Sequence, residues 1–247
     1  MLGLGNDLVS SIKIFQPHDI SDCVLALYAP HGVDDRDIGT VASWQDHSES
    51  HANGCFAYQG ATGKRPAYNN SYITFDGAND RLDLHQSDLS TALEITLDTS
   101  DNGWTFYWIG TMSDWDGANQ AIVGDPNDSL NFIRHRDDGE DVWDIKVNNT
   151  LYGTAMDDPA ALVDGQYYAV MFTCAADGTI TCFIDNTAQA DTATISDTTD
   201  DFKVQQISAK GSAQHVDGSV KSLVVYDKIL SAAERALINT WSQQYVG

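Results

Sequence analysis

The stretch from Val216 to Tyr245 leaves this chain few folds to choose from. Val220 to Tyr226 is rich in β-branched and aromatic residues, and apolar on both faces except at Lys221 and Ser222. A strand sends successive side chains to opposite sides, so such a run needs cover on both, as in the middle of a packed sheet. A turn follows, and Ser231 with Glu234 makes a Ser-x-x-Glu capping box, each side chain satisfying a backbone N–H at a helix start. Leu237, Ile238, Trp241 and Tyr245 then fall on one helical stripe. A buried central strand and a short amphipathic helix laid against something are expected at this end of the chain.

Upstream, the pattern is one of many short strands and turns. Val24 to Tyr28, Val41 to Trp44, Tyr72 to Phe75, Arg81 to Leu84 and Trp104 to Gly110 read as strands, as do Ala121 to Gly124, Leu130 to Arg136 and Val142 to Val147. Tyr167 to Cys174 and Thr179 to Ile184 predict a hairpin turning at Asp177-Gly178. His47 to Lys64 and Ala188 to Asp201 read as loops, and Phe202 to Ile207 leads to the closing strand. Of 36 acidic residues all but Glu49, Glu94, Glu140 and Glu234 are aspartate, a turn-favouring skew that suits many strands and loops. The expected fold is all-β: a two-sheet antiparallel sandwich over residues 21–247, with one short C-terminal helix and an N-terminal arm over residues 1–20.

Two groups of residues carry a resemblance. One is the closing Gly218-Ser-Val-x-x-Leu-Val-Val-Tyr-Asp-Lys-Ile-Leu-Ser-x-x-Glu234; the other is Trp44-x-Asp46-x-Ser48, then Pro66-Ala67-Tyr68, then Phe75-Asp76-Gly77. In that order they are similar to laminin-G-like, concanavalin A-like jelly-roll domains. The resemblance implies the fold, and it makes a carboxylate pair worth seeking, because the superfamily includes glucanases. Glu94-Ile-Thr-Leu-Asp98 is the nearest candidate, with Thr96 where the glucanases carry their middle acid. Four residues along a strand separate two side chains by about 13 Å, too far for a retaining pair at about 5 Å or an inverting pair at up to about 9.5 Å. No catalytic residues are therefore expected.

Other groupings point to binding. Asp114-Trp115-Asp116-Gly-Ala-Asn119 offers alternating oxygen ligands and a glycine for a tight turn, so Asp114 and Asp116 are candidate calcium ligands; a bidentate Glu to complete an EF-hand loop is missing. Asp76, Asn79 and Asp80 read as groups that hydrogen-bond their own turn. His47-Ser-Glu49-Ser-His51 lacks the helical His-Glu-x-x-His spacing and reads as a solvated loop. Arg134 and Arg136 share one strand face, where cross-strand ion pairing with Asp141 and its neighbours competes with gripping an anionic glycan or an adjacent subunit. Trp44 and Trp241 are assigned to packing, whereas Trp115, in a loop, is the candidate for exposed contact with sugar or protein.

A formal net charge of −23 argues against binding naked nucleic acid, since phosphates need a basic stripe. Met1 to Phe15 lacks the early basic region of a signal peptide, and no run approaches membrane-spanning length. Cys23, Cys55, Cys174 and Cys182 are expected as free thiols; Cys174 and Cys182 would pair in only one hairpin register. Leu8, Val9, Ile12, Ile14 and Phe15 are too apolar to stay in water, so residues 1–20 read as an arm that docks on something. The opening Met-Leu-Gly-Leu-Gly-Asn resembles the start of some tailed-phage virion proteins. The expected function is a non-enzymatic virion component on the head or tail, held to other virion proteins and copies of itself. A lectin-like glycan-binding module is the alternative, and a polysaccharide hydrolase or lyase the third reading.

Overall fold

In the computed structural model, residues 14–35, 39–52, 54–115, 119–126, 130–136, 142–157 and 162–246 are described. Two antiparallel sheets pack face to face. The eight-stranded sheet runs Thr187–Thr194, Thr179–Ile184, Tyr168–Cys174, Trp104–Met112, Asp217–Tyr226, Ile73–Asp76 and Ala67–Tyr68; Cys23–Tyr28 pairs with the second half of Asp217–Tyr226, beyond Ile73–Asp76. The nine-stranded sheet runs Thr150–Asp157, Val142–Val147, Phe132–Arg136, Gln120–Gly124, Gln206–Ile207, Leu82–Gln86, Cys55–Tyr58, Ser43–Gln45 and Val33–Asp34. Ile95–Leu97 pairs with Phe202–Val204 as a separate two-stranded ribbon. Among the described residues, no helix is long and apolar enough to cross a membrane.

The closing strand lies at the centre of its sheet, as its two apolar faces require. Val220, Leu223 and Val225 enter the core between the sheets, with Trp104, Phe106 and Trp108 beside them and Ile133, Trp143 and Ile145 opposite. The odd step from Val220 to Leu223 is absorbed by a bulge at Lys221, where the apolar run is interrupted. Val224 and Tyr226 face the other way, with Tyr107, Ile109, Ala169 and Met171, under helix α1 (Ala232–Val246). Ile238 and Trp241 supply the helix's buried stripe, contributing roughly 3 to 6 kcal/mol together. Leu237, expected on that stripe, is 49 % exposed. It lies about 100° around the helix from Ile238, outside the arc that Ile238, Trp241 and Tyr245 present to the sheet.

The capping box forms as expected. The Ser231 N–H donates to Glu234 Oε2 at 2.8 Å, and the Glu234 N–H donates to Ser231 Oγ at 3.3 Å. Lys228 Nζ sits 2.8 Å from Glu234 Oε1, and this partner, ahead of the Ser231 hydrogen bonds, lowers the Glu234 carboxyl to about 2 from its ordinary 4.5. A depressed carboxylate stabilises the fold above its unfolded value and loses that contribution as the pH falls through its folded one. Glu234→Gln is therefore expected to cost about 1 kcal/mol at neutral pH. In urea melts the gap from wild type should close between pH 4.5 and pH 2; a gap independent of pH would assign the effect to something other than this carboxylate.

Segments read as loops contain further strands. Cys55–Tyr58 lies inside the expected 47–64 loop, and Thr187–Thr194 forms the edge of the eight-stranded sheet. Thr187–Thr194 is mostly exposed and carries no alternating apolar pattern, since an edge strand needs only backbone pairing on one side. Cys174 pairs across the hairpin with Ile180, and Cys182 with Phe172, so the two thiols are offset; all four cysteines are free.

The start of the chain is tied to this frame. Phe15, expected in a detachable arm, packs with Ile20 on the cluster beneath helix α1, and Tyr226 Oη donates to the Pro17 carbonyl at 2.9 Å. Residues 15–20 thus belong to the sandwich's own packing. Ile14 is 71 % exposed, and Leu8, Val9 and Ile12 lie outside the described residues. The Trp-x-Asp-x-Ser motif secures the outer edge of Cys23–Tyr28. Asp46 Oδ1 accepts from the N–H groups of Ala26 (2.7 Å) and Ser48 (2.9 Å), and Ser50 Oγ donates to the Val24 carbonyl at 3.0 Å.

Candidate functional site

Trp115 is not a surface contact. It is 1 % exposed, its ring edge-on to Trp108, Trp143, His135 and Tyr168 at centroid distances of 5.2 to 6.4 Å. Its loop follows directly on Trp104–Met112 at the rim, and its N–H donates to Asp164 Oδ1 at 2.9 Å, which turns the indole back between the sheets. All six tryptophans are buried, so no indole is available as a sugar-stacking platform.

Arg134 and Arg136 lie on the outer face of the nine-stranded sheet. Alternation along Phe132–Arg136 sends Ile133 and His135 inward and Phe132, Arg134 and Arg136 outward. Asp144, directly across the ladder from Arg134 and fully buried, is the shared partner: 2.7 Å from Arg134 Nη2 and 3.1 Å from Arg136 Nε. Asp141, the partner the hairpin spacing suggested, lies outside the described residues. Two guanidinium groups thus share one carboxylate. Arg134, Lys146 and Lys210 stand 4.9, 5.9 and 4.7 Å from the centre of the Phe132 ring, bringing three cations together in a chain of net charge −23.

The cations stand at one end of a row that crosses the sheet. Strand pairing aligns Lys146, Phe132, Gly124, Gln206, Asp83, Tyr58 and Ser43, one residue per strand. At about 4.8 Å per strand this row spans roughly 29 Å. Gln206 Nε2 donates to Asp83 Oδ1 at 2.7 Å, and Arg81 and Asp83 pair at 3.4 Å. Beside them, His85, Leu93, Pro126 and Gln205 help line a hollow of about 220 Å³. Tyr58 and His85 meet edge to face at 5.5 Å. Phe132, Gln206 and Ser43 are buried in this row, so the face presents cations, then the half-buried Asp83, then the rings of Tyr58 and His85.

Asp114 lies elsewhere, at the rim where the sheets meet. With Asp76, Asp217, Gln120 and His215 it lines a cleft of about 310 Å³; Asp116 lies outside the described residues. Asp76 and Asp217 are cross-strand partners, like charges placed opposite each other. Asp76 Oδ1 accepts from the N–H groups of Ala78, Asn79 and Asp80, the turn bonding expected of it. Gln120 spans the cleft, accepting from the Asp217 N–H at 2.7 Å and donating to the Asp114 carbonyl at 2.8 Å. The carboxylates of this cleft are oxygen donors, the ligand type that calcium takes.

The two groupings weighed as chemistry are dispersed. Glu94 pairs with Lys203 at 2.7 Å and accepts from Gln205, while Asp98 accepts from the N–H and Oγ of Ser100 at 2.7 and 2.8 Å. The His47 ring stacks on Tyr28 at 5.6 Å, whereas His51 Nε2 bonds the Val24 carbonyl at 2.9 Å and Glu49 is exposed.

Comparison with known proteins agrees with this architecture. Trypanosoma rangeli sialidase in complex with 2,3-difluorosialic acid, a covalent intermediate, superposes with a TM-score of 0.60 at 15 % identity, over 92 % of this chain and 34 % of that one. The ligand-binding domain of botulinum neurotoxin serotype D, in complex with N-acetylneuraminic acid, superposes with a TM-score of 0.59 at 14 % identity, over 89 % and 51 %. This chain thus spans about a third of the sialidase and half of the toxin domain, and at these identities the likeness is one of fold. No match was found among curated proteins. Residues 69–234 match the laminin G-type family model described as the concanavalin A-like lectin/glucanases superfamily, and with about two thirds of its length in that match the chain belongs to that superfamily.

Proposed function

We propose that this chain is a non-catalytic, lectin-like module that holds an acidic glycan across the outer face of its nine-stranded sheet. The observation that carries this reading is the row from Lys146 to Ser43, with three cations gathered over Phe132 at one end. Cations match carboxylate or sulfate groups, Asp83 matches hydroxyls, and Tyr58 offers a ring to a sugar face. The bound sugar in the toxin domain is itself acidic, which fits the same chemistry. The absence of catalysis is supported by Glu94 and Asp98, whose oxygens are engaged with Lys203, Gln205 and Ser100.

The test is calorimetric titration with sulfated or uronic-acid oligosaccharides against neutral ones of equal length. Lys146→Ala with Lys210→Ala is expected to weaken acidic-glycan binding at least tenfold, and added salt to weaken it further. Equal affinity for neutral sugars, or an unaffected double variant, would exclude this face. Release of reducing ends that stops with Glu94→Gln would overturn the non-catalytic reading.

The second reading is that of a virion component, joined to other virion proteins and to copies of itself. Ile14 favours it, standing exposed directly before the docked Phe15 and after the apolar Leu8, Val9 and Ile12. Removing residues 1–13 is expected to leave the domain folded and to abolish particle incorporation. Normal incorporation by the truncated chain would rule this out.

Calcium is the cation expected at the rim cleft, where it would join Asp114 and Asp217 and relieve the Asp76–Asp217 opposition. A melting temperature raised by a few degrees in calcium, beyond magnesium at equal ionic strength and lost in Asp217→Asn, is the expected result. Equal shifts in both salts would remove the site.

A further inference from the structure

The loop after Trp44 gathers three side chains that neither the sheet face nor the rim cleft uses. One carboxylate oxygen of Asp46, one ring nitrogen of His51 and the Sγ of Cys55 lie within 4.8 Å of one another. We propose that Asp46, His51 and Cys55 form a binding site for a divalent transition cation, zinc in the first place.

The donor set selects the metal. Sulfur and imidazole nitrogen with one carboxylate suit zinc, whereas calcium and magnesium take oxygens. One hydrogen bond already sets the His51 tautomer that a metal would need. The ring Nε2 lies 2.9 Å from the Val24 carbonyl, which only accepts, so the hydrogen sits on Nε2 and the neutral ring keeps its lone pair on Nδ1. Donation from the other ring nitrogen to a backbone carbonyl is the usual support of a metal-bound histidine. Asp46 is held as well: Oδ1 takes the N–H groups of Ala26 and Ser48, and Oδ2, among the described residues, accepts Ser48 Oγ at 2.7 Å, which leaves lone pairs on that oxygen.

Tetrahedral zinc sets its ligand atoms roughly 3.3 to 3.8 Å apart, so the trio, already within 4.8 Å, needs to close by at most about 1.5 Å. Asp46 and His51 both lie on the loop between Ser43–Gln45 and Cys55–Tyr58 and are partly exposed, so that movement falls to the loop rather than to buried Cys55. Binding replaces the Cys55 Sγ–H bond by Sγ–metal, the proton leaving to solvent, and a water completes the fourth position. The effect is structural. Asp46 and His51 already bond the edge of Cys23–Tyr28 in the eight-stranded sheet, while Cys55 belongs to the nine-stranded one. A metal bond among them would pin the two sheets together at this end.

The test uses the full chain, reduced and stripped of metal, titrated with cobalt(II) as a spectroscopic stand-in for zinc. The expected result is the visible absorption of tetrahedral cobalt with a thiolate-to-metal band in the near ultraviolet, both abolished by zinc. Zinc at a hundredfold over its Kd is expected to raise the melting temperature by roughly 5 to 10 °C. Cys55→Ala should lose the thiolate band, and His51→Ala, at a partly exposed position that the fold tolerates, should weaken cobalt binding at least tenfold. Cys174→Ala, outside the trio, should keep both signals. Absence of a thiolate band, its persistence in Cys55→Ala, undiminished binding in His51→Ala, or an equal thermal shift with calcium would each overturn the site. None of these outcomes depends on whether the sheet face binds a glycan.

Discussion

Trp115→Ala is expected to destabilise the protein by about 3 to 5 kcal/mol, while the fraction that stays folded binds glycan as before. The indole is buried among four other rings, and its removal leaves a cavity that the two sheets cannot close over. The neighbours are themselves large and held in strands: Trp108 in Trp104–Met112, His135 in Phe132–Arg136, Trp143 in Val142–Val147 and Tyr168 in Tyr168–Cys174. Phe should recover part of the loss and Ala none of it. Urea denaturation supplies the number, and titration of the folded protein supplies the binding control. A stable Ala variant with weakened sugar binding would return Trp115 to the surface role its loop position suggests.

Asp144→Ala is the second substitution with a large expected effect, about 3 to 5 kcal/mol, because it leaves two guanidinium groups without the carboxylate they share. Arg134 and Arg136 are themselves largely covered, with side chains 13 % and 18 % exposed, so water replaces the lost partner poorly. Replacing Asp144, Arg134 and Arg136 together by apolar residues of similar size should cost less than Asp144→Ala alone, since the whole ion group is then removed rather than broken. The charged row is also expected to respond. Without Asp144 the cluster over Phe132 gains one unit of positive charge, so acidic glycans should bind more tightly to whatever remains folded. Loss of binding together with stability would show that Asp144 orders the site rather than tempering its charge.

Local pattern was enough for the elements whose geometry is set by neighbours in the chain. The two-faced run at Val220 to Tyr226, the Ser231–Glu234 box and the Asp177-Gly178 turn all lie in the structure where their spacing places them. Gly178 shows why the turn is legible. It takes a φ of +83°, and a Cβ there would sit 2.2 Å from the Ile195 carbonyl oxygen, so only glycine fits. Edge strands such as Thr187–Thr194 were not legible, because one-sided backbone pairing imposes no side-chain pattern.

The sequence by itself determined the antiparallel sandwich, its central strand, its helix cap and the outward face shared by Arg134 and Arg136. These follow from periods of two and 3.6 residues and from capping chemistry, which act within a few residues. Tertiary structure alone decided that Trp115 turns inward, that Asp144 is the arginines' partner, and that Asp46, His51 and Cys55 meet while His47 turns away to Tyr28. It also decided that Lys146, Phe132, Gln206, Asp83 and Tyr58 stand in one row. These residues are separated by up to 148 positions, from Tyr58 to Gln206, and the direct neighbours Asp83 and Gln206 lie 123 positions apart. Their adjacency depends on strand order and register, which are set by how the whole core packs and not by any local period.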